Sequence, residues 1–259
     1  MKVLLLGITG NVGSRLAPAL IAHKHQVVAY VRPSSKNKID PVLAKQLLAI
    51  HEGDATETDA IKHAILANDC SAVVNTAGLA AITPLSSSTG LPQIFAAVVA
   101  ATVAAHQARG KDSPPIRLWM LSGATILDNP FKPGKQLGDS VPLFPEHRVN
   151  WKLIEKTNKE DVSWSLMCPS NMVPEPTPMS LEERRGNLVA GADKPPAWRR
   201  TWLDRIPVLG GFLGVAAQMA AYEIPLEGCA DFLASDLEKG LNSEYIGHRV
   251  SLKVTARSS

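Results

Sequence analysis

The segment Lys2-Val3-Leu4-Leu5-Leu6-Gly7-Ile8-Thr9-Gly10-Asn11-Val12-Gly13-Ser14-Arg15-Leu16 restricts this chain more than any other. An apolar run too short for a helix reads as a buried strand. It runs into three closely spaced glycines, and helical periodicity follows at Val12, Leu16, Ala19 and Leu20. In such a strand, turn and helix, Gly7 lets the chain reverse tightly and Gly10 lets backbone amides approach a ligand without a Cβ in the way. Gly13 lets the helix pack close to the strand. The helix start adds unpaired amides and the positive end of its dipole, a combination suited to a pyrophosphate. Gly7, Thr9, Gly10, Asn11, Val12 and Gly13 are therefore the first candidate binding residues, and a dinucleotide is the ligand the spacing suggests.

A chain of 259 residues is long enough for one sizeable core with an extension. The expected class is α/β: a doubly wound, mostly parallel sheet over residues 1–170, then a small substrate lobe over 171–259 whose last helix and strand return to the main domain. Lys and Arg number 27 against 24 Asp and Glu, a net charge of +3 with the basic residues scattered. No electrostatic footprint for nucleic acid stands out, so small molecules are the expected partners. The first residues lack the pattern of an export signal, because the apolar run stops at the glycine turn. The apolar stretch from Ile94 to Ala105 is too short and too rich in alanine to cross roughly 30 Å of hydrocarbon, and reads as a buried helix. No membrane is expected. Cys70, Cys168 and Cys229 fit neither a disulfide framework nor a zinc spacing, which suits a reducing cytoplasm. Neither a metal nor a particular oligomeric state is expected from the pattern.

Further along, Gln26 to Val31 reads as a second strand ending at Arg32-Pro33-Ser34-Ser35-Lys36. The end of the second strand is where such folds read the adenosine ribose. An acidic residue there would favour NAD, whereas Arg32, with Ser35 and Lys36 beside it, favours the extra phosphate of NADP. The alternative is a solvated basic loop. A helix is expected over Asp40 to Leu48, then a third strand from Leu48 to Glu52 ending at Gly53-Asp54-Ala55. Two roles suit the Asp54 carboxylate: accepting from the adenine amino group, or capping its own turn. A helix over Thr58 to Leu66 and a strand over Ser71 to Asn75 follow, and the small residues Ala77 and Gly78 would let a cofactor pass close to backbone. After the long helix from Pro92 to Arg109, Ile116 to Leu121 forms a fifth strand with Ser122 at its carboxyl end, where ligands of open parallel sheets bind. Leu127 to Pro145 lacks periodicity and is expected to be a loop, placed over the site. A helix over Glu146 to Lys156 and a sixth strand over Val162 to Cys168 come next. Residues 173–215 resist assignment. Glu227 to Lys239 reads as an amphipathic helix and Arg249 to Val254 as a closing strand.

Gly7-x-Thr9-Gly10-x-x-Gly13, Arg32, Gly53-Asp54, Ala77-Gly78, Ser122, Lys152 and the strand running into Pro169 together resemble the short-chain dehydrogenase superfamily, in particular its atypical NmrA-like branch. The likeness covers about two thirds of the chain. Within that branch the chain looks like small NAD(P)-binding proteins of fungal aromatic polyketide pathways. The resemblance implies a Rossmann-like fold, cofactor contacts from Lys152 and Pro169, and a role for Lys152 as a ribose-binding cation. It also exposes a departure. Reductases of the superfamily use Tyr-x-x-x-Lys, but four residues before Lys152 stands Arg148, and the tyrosines are Tyr30, Tyr222 and Tyr245. A guanidinium does not give up its proton at neutral pH. His147, adjacent and of a type that titrates near neutrality, is the candidate replacement acid, or else a helix-end or surface residue. Ser122 would hydrogen-bond a substrate carbonyl or simply end a strand. Cys168, inside an apolar strand, reads as a small hydrophobe.

The function these readings suggest is NADP-dependent reduction of a small hydrophobic or aromatic ketone or quinone, with Ser122, His147 and Lys152 as catalytic candidates. Two alternatives stay open. One is a cofactor-holding redox sensor without catalysis; the other is a non-redox ring opening, dehydration or isomerisation on the same scaffold.

Overall fold

The computed structural model describes residues 1–83, 85, 89–110, 112–175 and 187–255. The chain runs β1 (Lys2–Leu6), α1 (Gly13–Ala22), β2 (Gln26–Val31), two single turns α2 (Pro33–Lys36) and α3 (Pro41–Ala44), and β3 (Ala49–Glu52). Then come α4 (Thr58–Ala67), β4 (Ala72–Asn75), α5 (Leu91–Arg109), β5 (Ile116–Leu121), α6 (Pro145–Ile154), β6 (Val162–Met167) and β7 (Asn171–Val173). It closes with β8 (Leu188–Ala192), α7 (Gly210–Ala221), β9 (Glu223–Pro225), α8 (Leu226–Glu238) and β10 (Arg249–Val254).

Eight strands form one sheet in the order β3-β2-β1-β4-β5-β6-β10-β8, parallel except that β8 runs antiparallel to β10. The first six follow the order of a doubly wound dinucleotide fold. Such strands must be apolar on both faces, because helices cover both. In β1, Leu4 and Leu6 enter the layer of α4, α5 and α6, while Val3 and Leu5 enter the layer of α1 and α8. All four are fully buried, worth roughly 1.5–3 kcal/mol each relative to exposure. Val27 and Val28 of β2 divide in the same way. The register of Leu6 with Tyr30 on one side and Asn75 on the other brings the carboxyl ends of β1, β2 and β4 to one edge. There the first crossover reverses direction, and a cleft opens.

Three expectations change. The helix over Asp40 to Leu48 is one turn, Pro41–Ala44, held by Asp40 Oδ1 accepting from the amides of Val42 and Leu43. None of its residues is buried, so nothing extends it. The loop expected over the site contains two 3-10 turns, Ala124–Ile126 and Leu137–Asp139, joined by an Asp128–Gln136 bridge. It buries Leu127, Leu137 and Val141 in the core beside α6 and does not line the cleft. In the region without an assignment, β8, a 3-10 turn at Trp202–Arg205 and α7 appear, whereas residues 176–186 lie outside the described part. The long helix α5 is apolar and long enough by composition to cross a membrane, but half of it is buried, with Phe95, Val98 and Ala101 in the core.

Candidate cofactor cleft and active site

The cleft at the carboxyl ends of the first four strands has a volume of about 740 Å³. Its floor is the glycine turn. Gly7 has φ +84°, and a Cβ there would lie 2.6 Å from the Ala77 amide nitrogen of the neighbouring strand end. The Gly10 amide donates to the Gly7 carbonyl at 2.9 Å. A Cβ on Gly13 would meet that same carbonyl oxygen at 2.1 Å, so only glycine lets α1 start this close to β1. Gly7, Thr9, Gly10, Asn11 and Val12 line the cleft, and Gly13 is buried behind them as the packing glycine.

The wall at the end of β2 carries Arg32, Ser35 and Lys38. Arg32 and Lys38 are exposed and have no ion-pair partner within 4 Å among the described residues. Lys36, expected here, instead ion-pairs with Glu52 at 2.6 Å and is not on the cleft. The one-turn helix α2 rotates Lys36 away and brings Lys38 in.

Asp54 and Ala55 line the cleft at the end of β3. Asp54 Oδ1 accepts from the Thr56 amide at 2.9 Å and the Thr56 hydroxyl at 2.7 Å, which holds its carboxyl below the usual range, with a smaller contribution from Arg32. That oxygen caps its own turn. Tyr30, which the sequence did not single out, also lines this wall; its hydroxyl donates to the Asp54 carbonyl at 3.1 Å, and burial pushes its phenol up to about 12. Gly53 makes room for it, since a Cβ there would lie 2.1 Å from the hydroxyl.

The opposite end is apolar. Ala77, Gly78, Leu79, Ile94, Leu121 and Met172 line it, with Thr89 supplying a hydroxyl. Glu146, at the start of α6, accepts from the Ala81 amide at 2.7 Å, the Thr89 amide at 3.0 Å and the Thr89 hydroxyl at 2.8 Å, and so ties the chain after β4 across the cleft. Ala81 and Thr89, held in this way, stand at the end of the cleft where the Leu127–Pro145 loop was expected.

Ser122 and His147 come together beside this end, though neither lines the cleft itself. Ser122 Oγ lies 3.4 Å from His147 Nδ1, and both residues are buried. The imidazole fits against Gly123, where a Cβ would lie 2.6 Å from the ring. Burial lowers the His147 pKa to about 4, so the ring is uncharged at neutral pH and holds no imidazolium proton to donate. That burial weighs against the proton-donor role expected of it at neutral pH. Burial pushes the Cys168 thiol up, in keeping with an inert hydrophobe.

Two residues carried over from the resemblance lie elsewhere. Pro169 is absent from the cleft lining, and its carbonyl accepts from the Ala124 amide at 3.0 Å. Lys152 is exposed and lines a separate crevice with Arg148 and Trp151. On α6, His147 faces the sheet; Arg148 and Lys152, four residues apart, share the face about 100° further round. The ribose role expected of Lys152 does not follow from this placement.

A family model for the NAD dependent epimerase/dehydratase family matches residues 3–143, which span β1 to the loop before α6. The chain belongs to that family. Members bind NAD(P), and the cradle fits that group: the three closest backbone approaches around the turn are all ones that a side chain would block. Curated proteins contributed no match. Among solved structures, the fold is similar to that of a candidate epimerase from Bacteroides thetaiotaomicron, at 19% identity over 100% of this chain and 99% of that one, TM-score 0.65. It is also similar to a wide-type short-chain dehydrogenase/reductase from Veillonella parvula in complex with NADP, at 10% identity over 97% and 94%, TM-score 0.63. ChuY, an anaerobilin reductase from Escherichia coli O157:H7, matches at 15% identity over 100% of both chains, TM-score 0.57. At these identities the likeness concerns the fold. The family that matches is the epimerase/dehydratase one; the narrower NmrA-like branch and the polyketide pathway stay at the level of resemblance.

Proposed function

We propose that the protein is an NADP(H)-dependent reductase of a small hydrophobic or aromatic ketone or quinone. The observation that carries this reading is the polarity of the cleft. Its cationic end, Arg32 with Ser35 and Lys38, suits a ribose phosphate, and its other end, Leu79, Ile94, Leu121 and Met172, suits a flat apolar acceptor. A bound nicotinamide would supply hydride. The turn from Gly7 to Val12 would hold the pyrophosphate on backbone amides. No tyrosine stands on α6, and the titratable groups lining the described cleft, Tyr30, Arg32, Lys38 and Asp54, are all at its adenosine end. A quinone suits such a site, because its reduced oxygen can take its proton from water. Ser122, held beside His147 next to the apolar end, would orient the acceptor's oxygen.

Stopped-flow absorbance of the reduced nicotinamide, recorded with a panel of quinones and aromatic ketones, tests the reaction. Turnover with a subset of them is expected; tight NADPH binding with no consumption across the panel would turn the reading to a cofactor-holding sensor. Selectivity is tested separately by titration calorimetry. A guanidinium on a phosphate contributes on the order of 1.5–3 kcal/mol, so Arg32→Ala weakens NADPH binding roughly tenfold to hundredfold and leaves NADH nearly unchanged. Equal losses for both cofactors would mean that Arg32 only solvates its loop.

A further inference from the structure

The helix α7, Gly210–Ala221, carries no charged residue, and Gln218 is its one strongly polar side chain. A helix apolar on every side belongs in a core or in lipid. Yet only Gly210, Gly214 and Val215 of its twelve residues are buried. The 3-10 turn Trp202–Arg205 packs against it, and the connection between them projects outward. Trp202 is 73% exposed, Val208 fully exposed, Leu209 57% and Phe212 46%. Val208 has φ +62°, a conformation that costs a β-branched residue energy and is normally left to glycine. The chain therefore accepts strain at the point where it presents its most exposed aliphatic side chain.

The surrounding charge selects what covers this tip. Between Trp198 and Ala221 the basic residues are Arg199, Arg200 and Arg205, and the one acid is Asp204. All three arginines are exposed, and none has an ion-pair partner among the described residues; Arg200 stacks on Phe131 at 5.0 Å. Asp204 is turned inward, its Oδ2 accepting from the Thr201 amide at 2.6 Å and hydroxyl at 3.0 Å. In a twofold contact a patch meets itself. Such pairing would bring two sets of arginines together around the apolar centre, with no free acid among the described residues of the tip to separate them. Anionic headgroups above an acyl layer complement both parts, with tryptophan at the boundary and arginines toward the phosphates.

We propose that the tip formed by Trp202, Val208, Leu209 and Phe212 inserts into the surface of an anionic lipid bilayer, with Arg199, Arg200 and Arg205 on the headgroups. This departs from the absence of a membrane partner expected from composition, where the patch is hidden because its apolar stretch is too short to read as a membrane segment. It is independent of the chemistry in the cleft.

Sedimentation of the full chain with vesicles tests it. Vesicles of phosphatidylcholine and phosphatidylserine are expected to carry the protein into the pellet, vesicles of phosphatidylcholine alone much less of it, and added salt should release it. Trp202→Ser combined with Phe212→Ser is expected to abolish pelleting. Since both side chains are exposed, circular dichroism and the thermal transition should stay as in the parent. Arg205→Gln tests the electrostatic half without touching the apolar one and is expected to lower partitioning about fivefold. Protein that stays in the supernatant with both vesicle types overturns the proposal. So does a concentration-dependent dimer in light scattering that Trp202→Ser dissociates, because the patch would then belong to a second copy.

Discussion

Asp236→Ala is expected to lower the unfolding free energy by about 3–5 kcal/mol, the largest effect of any single change considered for this chain. Asp236 sits on α8 and is 2% exposed, and its carboxylate gathers three donors. Arg117 Nη2 donates to it at 2.9 Å, Trp119 Nε1 at 3.0 Å and Ser243 Oγ at 2.6 Å. Arg117 is a guanidinium near the start of β5, fully buried, stacked on the Trp119 ring and bonded further to Ser163 and Ser165. Burial alone pushes its pKa down, and Asp236 opposes that shift. Removing the carboxylate leaves a charge and an indole N–H uncompensated inside the sheet. For a chain of this size the thermal midpoint should fall by roughly 6–20 °C. Replacing both members with apolar residues, Arg117→Met with Asp236→Leu, should recover much of the loss, since it is the orphaned charge that costs most. Urea unfolding of the two single variants and the double variant checks this. A loss under about 1 kcal/mol for Asp236→Ala would mean that water reaches Arg117.

The second large effect is on acid stability and comes from His147. Burial lowers its folded-state pKa to about 4 from an ordinary value of 6.5. Between those two values the unfolded chain takes up a proton that the folded chain refuses, so stability falls as pH drops through this window. The expected loss is about 3 kcal/mol at its lower end, and above pH 6.5 the contribution is flat. His25 and His51 are lowered by burial as well, so the parent's acid limb is shared among several groups. The difference between parent and His147→Phe isolates the one ring. The variant should lose less stability between pH 6.5 and pH 4 than the parent, whatever its stability at pH 7. Parallel curves for the two proteins would show that the ring is protonated in the folded state, and would restore His147 as a candidate proton donor.

Much of the fold was legible because it is written in near neighbours. The apolar run of β1, the glycines after it and the period of α1 lie within some twenty residues, and a strand covered on both faces has little choice but continuous Val and Leu. The boundaries of β2, β5 and β10 agree with those read from sequence for the same reason. The start of a helix at Asp40 was recognisable, but not the length of that helix, because extension needs a buried face that α3 lacks. Residues 188–221 were opaque, since uniform apolarity in α7 carries no period.

Within the cleft, the glycine turn and the cationic end of β2 could be found from residue type and spacing. Those features are set by backbone geometry and by positions next to strand ends. Only tertiary packing decided which lysine reaches the wall, Lys38 in place of Lys36, and which side of α6 meets the sheet. One residue along a helix is a rotation of about 100°, so His147, Arg148 and Lys152 are equivalent candidates in a linear reading. The choice is made by the notch that Gly123 leaves for the His147 ring and by the bonds of Glu146 to Ala81 and Thr89, across 24 to 65 positions of chain. Such contacts depend on shape between distant segments, and no local pattern of residues records them.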